Sequence, residues 1–309
     1  MHFAPARFHF GDALSRGQLP AAYYITCSGR SDGGGAQMQA IYSTILYARC
    51  AGLVYLHAPI VSVEHNAFGD PGWPDKWESA FSAGYGELQL ASFDLDAVKQ
   101  VGAAGMMSRV PPSPPAEPVL LLASECHWYA DAHADFYSLI QPQIKRRYHR
   151  NSPPIARPDD RLIVAVHVRR GDVTPSDPDR FTPNERVAFR IDKLSSALGP
   201  LRHEFHVFSE GIEEDFGPIR ERAVLHLGGD VFECLQSLIG ADIFVMAKSS
   251  FSYTAALLSR GIVIYAPFWH APLQQWVMVD ADGNLPLAHF GWALSRYLLL
   301  RFAQNQRGF

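Results

Sequence analysis

The sequence predicts an α/β protein of two compact units, each built around a parallel sheet. Three observations carry this. The chain has 309 residues, about twice the usual size of one compact unit. Its second half alternates strand-like and helix-like segments with short connections, the pattern of a doubly wound sheet that binds ligands at the carboxyl ends of its strands. A proline run at residues 111–118 (PPSPPAEP) and a second break at residues 152–158 punctuate the middle of the chain. The expected division is 1–155 and 156–309.

In the first half, residues 22–27 (AYYITC) are aromatic and β-branched and read as a strand. Residues 31–35 (SDGGG) read as a glycine turn. Apolar residues at Met38, Ile41, Ile45, Leu46 and Ala48 then recur at helical spacing over 36–50. Residues 53–57 are a second strand, so the opening is strand-loop-helix-strand. Residues 66–77, rich in Gly, Pro and Trp, read as a structured loop. A strand at 119–123 follows the prolines, and a helix is expected over 132–150. In the second half, strands are expected at 162–168, 204–208, 224–227, 243–246 and 263–265. Helices are expected at 184–198, 213–222, 231–239 and 253–258, with a last helix at 294–302 that no strand follows.

Composition narrows the function classes. Lys and Arg total 27 against 31 Asp and Glu, a net charge of -4. No basic field attracts nucleic acid or anionic lipid. No run of 18 apolar residues occurs, so no membrane segment is expected. Residues 1–17 lack the apolar stretch of a secretory signal. Cys27, Cys50, Cys126 and Cys234 form no CxxC pair, which excludes the usual zinc and dithiol spacings and predicts reduced thiols and a cytoplasmic protein.

The sharpest motif is IVAVHVRRGDV at residues 163–173. An apolar strand ends at once in His167, Arg169, Arg170, Gly171 and Asp172. In a doubly wound sheet these residues stand at the ligand end. Arginine forks hold phosphate oxygens and stay charged, and Gly171 lets the backbone turn close to a ligand. An arginine pair salt-bridged at a strand end explains the same residues without a ligand. The second motif follows the strand at 243–246: Lys248, Ser249, Ser250, Phe251 and Ser252 precede a helix. These serines either cap the helix or, with its free N–H groups, meet a phosphate.

HVRRGD and SSFS, in this order and 80 residues apart, resemble the GDP-fucose-dependent fucosyltransferases. GGGAQMQAIYSTILYAR at 33–49 is similar to that family's N-terminal glycine loop and helix, with Ala36 where the family has Asn. The resemblance implies a GT-B-like fold of two Rossmann-like lobes facing a cleft. It implies an acceptor-side lobe at 1–155, a GDP-sugar-binding lobe at 156–309, and inverting transfer to a glycan or other hydroxyl acceptor. GDP-fucose would be the donor substrate, with no cofactor and no obligatory metal; the alternatives are a transferase of another GDP-linked sugar and a nucleotide-sugar- or glycan-binding protein without turnover. It assigns Arg169 to the β-phosphate and His167 to a position beside the nucleotide. Ser249, Ser250 and Phe251 match the phosphate and nucleoside contacts, and Gly34, Gly35 and Gln37 match the N-terminal loop. Glu233, with Asp230 as its competitor, matches an acidic residue that reads guanine or ribose. Asp172 and Asp177 compete for the base that takes the acceptor's proton. Asp172 serves equally as the partner that orients Arg169, and Asp177 equally as a turn residue.

Asp-x-Asp, a metal motif, occurs at Asp94–Asp96, Asp177–Asp179 and Asp280–Asp282, a frequency chance explains; the last reads as a turn. Trp269 and His270, after the last expected strand, are the aromatic pair placed to meet a sugar.

Overall fold

A computed structural model of the chain describes residues 17–66, 69–96, 98–103, 114–155, 158, 160–280 and 282–305. Residues 1–16, residues 67–68 of the Trp-rich segment, 111–113 of the proline run, 156–157 of the second break and Ala281 of the third Asp-x-Asp lie outside the described residues. The chain divides into two compact units, Met1–Ser152 and Pro153–Phe309.

In the first unit, Tyr23–Cys27 (β1), Val54–His57 (β2), Leu88–Gln89 (β3), Lys99–Gly102 (β4) and Val119–Ala123 (β5) form a parallel sheet in the order β3-β2-β1-β5-β4. Gly34–Ala51 (α1) is buried along almost its whole length, Gln37, Gln39, Ser43 and Thr44 included. It is the unit's central helix rather than a surface one, which is why its apolar residues do not confine themselves to a stripe. Gly52 ends it at φ 70°, a left-handed cap that glycine adopts without strain. The helix starts at Gly34, so Gly34 and Gly35 belong to its first turn and not to the preceding loop. A Cβ on Gly34 would stand 2.2 Å from the Trp77 ring, so this glycine is fixed by packing.

Two expectations are corrected here. The loop at 66–77 turns helical at its end: Trp73–Phe81 (α2) has Pro74 as its second residue, where a missing N–H costs nothing in a first turn. The single helix at 132–150 is instead three pieces, His127–Ala132 (α3), a 3₁₀ segment Ala134–Leu139, and Gln141–Asn151 (α4). Pro142 has no N–H to continue a ladder from upstream, so a new helix starts beside it.

In the second unit, Leu162–His167 (β6), His203–Ser209 (β7), Val224–Leu227 (β8), Ile243–Val245 (β9), Ile262–Tyr265 (β10) and Val277–Met278 (β11) are all parallel, in the order β11-β10-β9-β6-β7-β8. Asn184–Leu198 (α5), Val231–Gly240 (α6), Ser250–Leu258 (α7) and Leu287–Asn305 (α8) connect and flank them. Val187, Ile191 and Leu194 of α5 and Phe290 and Leu294 of α8 pack with Val164, Val166, Val207, Val245 and Ile264 into one core. The expected helix at 213–222 is a shorter 3₁₀ segment, Glu213–Ile219, kinked at Gly217 before Pro218. Helix α7 begins three residues earlier than expected and α8 seven residues earlier.

The amino end of this sheet is held by Asp242, which is fully buried. Its carboxylate accepts the Ile163 N–H at 2.7 Å and the Tyr297 hydroxyl at 2.5 Å, and pairs with Arg301 Nη1 at 3.1 Å. This ties α8 to β6 and β9. Removing one partner from such a buried pair typically costs about 3–5 kcal/mol.

Candidate functional site

Chain order runs outward from β6 through β7 to β8 on one side, and through β9, β10 and β11 on the other. Neighbouring strands β6 and β9 therefore send their connections in opposite directions. Such a switch point leaves a crevice at the carboxyl ends. The two motifs singled out in the sequence are the segments that leave β6 and β9.

Arg169 joins them. Its Nε and Nη2 donate to the two oxygens of Asp172, at 3.1 and 2.6 Å, and its Nη1 donates to Ser249 Oγ at 3.0 Å. Both members of the ion pair are partly exposed, so it adds about 1 kcal/mol or less to stability. Its effect is to fix the plane of the guanidinium. Among the described residues three of its five N–H groups are engaged, which leaves two for an incoming oxygen. Ser249 is fully buried and is the N-cap of α7, accepting the Phe251 N–H at 3.2 Å. Ser250 is that helix's first residue, and Phe251 stands in its first turn with its ring 5.3 Å from the His167 ring.

His167 Nδ1 lies 2.6 Å from Ser252 Oγ, which also accepts the Ala247 N–H at 3.1 Å. With the Ala247 N–H occupying one lone pair, the serine proton is free to go to Nδ1, and in that tautomer the ring proton sits on Nε2. Burial, reinforced by the Arg169 charge, pushes the His167 pKa down to about 3. The imidazole is a neutral donor beside the arginine.

Arg170 is used differently. It donates to the carbonyls of Arg169 and Thr182 and to Asn184 Oδ1, and its guanidinium lies 4.2 Å from the Phe181 ring. It staples the loop between β6 and α5 rather than facing a ligand. Gly171 has φ 75°, and a Cβ there would stand 1.7 Å from Glu210 Oε2. Glycine is required on both counts. Asp177 accepts the Arg180 and Phe181 N–H groups through its carbonyl, as a turn residue does, and its carboxylate is 3.9 Å from Arg180 Nε. Arg180 also approaches Asp172, at 4.0 Å, and lies 5.5 Å from the Trp269 ring. Lys248 Nζ reaches the Pro178 carbonyl at 3.4 Å.

Glu233 lies apart from this group. It is exposed in the first turn of α6, and its N–H, like that of Phe232, is capped by Asp230 Oδ1. Among the described residues no contact joins it to His167, Arg169 or Ser249. In the first unit, Gln37 is buried and donates both amide protons to backbone, to the carbonyls of Asp32 and Ser62 at 2.7 Å each. Gln37 therefore ties two loops together, and Gly34 and Gly35 are buried with it. Among the described residues no group of three or more His, Cys, Asp or Glu is placed to hold a metal. Sequence reasoning missed Glu210, Arg180 and Arg190. Glu210 immediately follows β7, which was a signal; the two arginines carried none.

No protein-family model matches the sequence, and no curated protein matches it. Solved structures do. The fucosyltransferase NodZ from Bradyrhizobium is 11% identical, with 86% of this chain and 98% of that one covered, at a TM-score of 0.48. Arabidopsis thaliana FUT1 is 12% identical, over 89% and 76% of the two chains, at 0.43. The E. coli heptosyltransferase WaaC is 13% identical, over 91% and 99%, at 0.37. Identities and scores this low do not bear on donor or acceptor. What the topology itself establishes is a chain of two α/β units, each on a parallel sheet, the second with the Rossmann strand order.

Proposed function

We propose that the chain is an inverting glycosyltransferase that moves fucose from GDP-fucose to a hydroxyl of a glycan or other acceptor. The observation that carries this is the Arg169–Ser249 hydrogen bond. It unites the two sequence islands that resemble the fucosyltransferases, at the one place in a doubly wound sheet where a diphosphate is expected. The acceptor oxygen attacks the anomeric carbon, the bond from that carbon to the β-phosphate oxygen breaks, and GDP leaves with the electron pair. Negative charge growing on the diphosphate meets the two remaining N–H groups of Arg169 and the N-terminus of α7. Fixed donors of this kind stabilise the transition state beyond the ground state. They do the work for which other transferases use a cation, so activity is expected to survive EDTA. The neutral His167 donates from Nε2 without competing for that charge. The acceptor's proton goes to a carboxylate, with Asp172 and Asp177 the candidates. The first unit would hold the acceptor, and the reduced thiols fit a cytoplasmic location.

A second reading is a nucleotide-sugar-binding protein without turnover. It is favoured by the engagement of both candidate base carboxylates with arginines. One experiment separates the readings. Melting is recorded with GDP, GDP-fucose and UDP-sugars, and GDP release is assayed with GDP-fucose. GDP at 100 times its dissociation constant should stabilise by about 2.7 kcal/mol. Stabilisation by UDP-sugars alone refutes the donor, and binding without release favours the second reading.

A further inference from the structure

Beneath the Arg169 loop, α5 and the sheet enclose a cavity of about 10 Å³, room for one water-sized group. His167, Arg169, Thr182, Met246, Ala247 and Arg190 are among the residues that line it. Arg190 is the unexplained member. It sits on the buried side of α5 at 9% exposure. Its Nε has no hydrogen-bond partner, and among the described residues no carboxylate pairs with it. Burial and then the charge of another cation, Arg186, one turn away, push its pKa down to about 10.

A guanidinium in this state works against the fold. It has lost most of its water, Nε all of it, and gained no counter-charge, and burying a charge is costly unless it is paired. The structural uses of a buried arginine are visible elsewhere in the same chain. Arg147 is 2% exposed and binds Glu87 and the Ala83 carbonyl. Arg301 binds Asp242. Arg190 has neither kind of partner, yet it lines the same cavity as Arg169 at the switch point. Gly283, with φ 87°, closes over its stem, where a Cβ would stand 3.3 Å from Nε, so the side chain is packed in place.

We propose that Arg190 is an anion-binding residue of the donor site, taking a phosphate oxygen of the diphosphate that Arg169 meets from the loop. This deepens the GDP-sugar reading and rests on it. The cavity admits one oxygen: a phosphoryl oxygen itself, or a water that carries the contact. The counter-charge that the fold withholds from Arg190 is the ligand's, and it is greatest as the leaving diphosphate forms.

The test titrates the wild type, Arg190→Met and Arg190→Lys with GDP, inorganic pyrophosphate and inorganic phosphate by calorimetry, and melts each protein without ligand. Arg190→Met should melt at or above the wild type, because it replaces an uncompensated charge with an apolar chain of similar length. Its affinity for GDP and pyrophosphate should fall about tenfold or more, the usual scale of a hydrogen bond to a charged group. Arg190→Lys should retain part of that affinity. If Arg190→Met melts well below the wild type or does not fold, the guanidinium serves the fold and the proposal is overturned. If it binds GDP as the wild type does, the GDP reading stands and the role of Arg190 falls. If the wild type binds pyrophosphate but not GDP, and Arg190→Met loses pyrophosphate, the anion site stands and the GDP reading falls. If inorganic phosphate binds more tightly than GDP, the ligand is a free anion and the donor role is overturned. Binding of no anion by the wild type overturns both.

Discussion

His167→Gln removes an imidazole that the fold keeps neutral, and the consequence is a stability difference that depends on pH. The folded pKa is about 3, against about 6.5 for an unfolded histidine. The folded value is depressed, so the unfolded chain binds the proton first, and stability is lost as pH falls below about 6.5 and continues to be lost until about 3. Each pH unit in that window costs about 1.4 kcal/mol. From pH 7 to pH 5 the wild type should therefore lose about 2 kcal/mol that the variant does not lose. Gln can bond Ser252 and does not titrate, so carboxylates common to both proteins cancel in the comparison. Urea unfolding of the two proteins at pH 7, 6 and 5 measures it. The expected result is a gap between them that moves by about 2 kcal/mol toward the variant at the acid end. Parallel curves between pH 7 and 5 would mean that His167 is solvated or already charged, and the neutral-donor role would be wrong.

Three further expectations concern the ends of β6. Arg169→Ala should lower GDP release from GDP-fucose about 100- to 1,000-fold. Asp172→Asn should cost only about fivefold, since one amide oxygen still orients the guanidinium; a loss as large as that of Arg169→Ala would instead make Asp172 the base. At the other end, Tyr297→Phe deletes one hydrogen bond to the buried Asp242 carboxylate and should destabilise by about 2 kcal/mol. Thermal melting checks this, and an unchanged midpoint would show that Arg301 and Ile163 alone satisfy Asp242.

The parts of this molecule legible in the sequence are those where one residue pattern has one physical outcome. An apolar run broken by His-Val-Arg-Arg-Gly had to be a strand with its loop at the carboxyl end of the sheet. Serines before an apolar helix had to include its cap, although only contact with Phe251 N–H singled out Ser249. Pro142 was a readable stop signal inside the expected helix at 132–150. Strands β3, β4 and β11 were not readable: β3 and β11 are two residues long, and β4 (KQVG) lacks the apolar, β-branched run that marked equally short strands such as β2 and β10. Asp242 and Arg190 look like ordinary polar residues in the sequence. Their importance comes from burial, and burial depends on which helix packs where. Arg170 looked like a twin of Arg169 until its three bonds to the loop showed which of the two was free to face outward.

The two ends of β6 carry different loads. At its amino end the Ile163 N–H is locked to Asp242 and, through it, to the last helix. At its carboxyl end His167 opens the crevice where Arg169 meets Ser249. Three residues of extended chain lie between, and the four steps from Ile163 to His167 span about 13 Å. The buried anchor and the proposed donor site are thus placed at opposite poles of one strand. Under the proposed function, a substitution that strengthens the Asp242 pole has little to trade against turnover at the Arg169 pole, and the crevice can change its ligand without reopening the anchor that ties the last helix to the sheet.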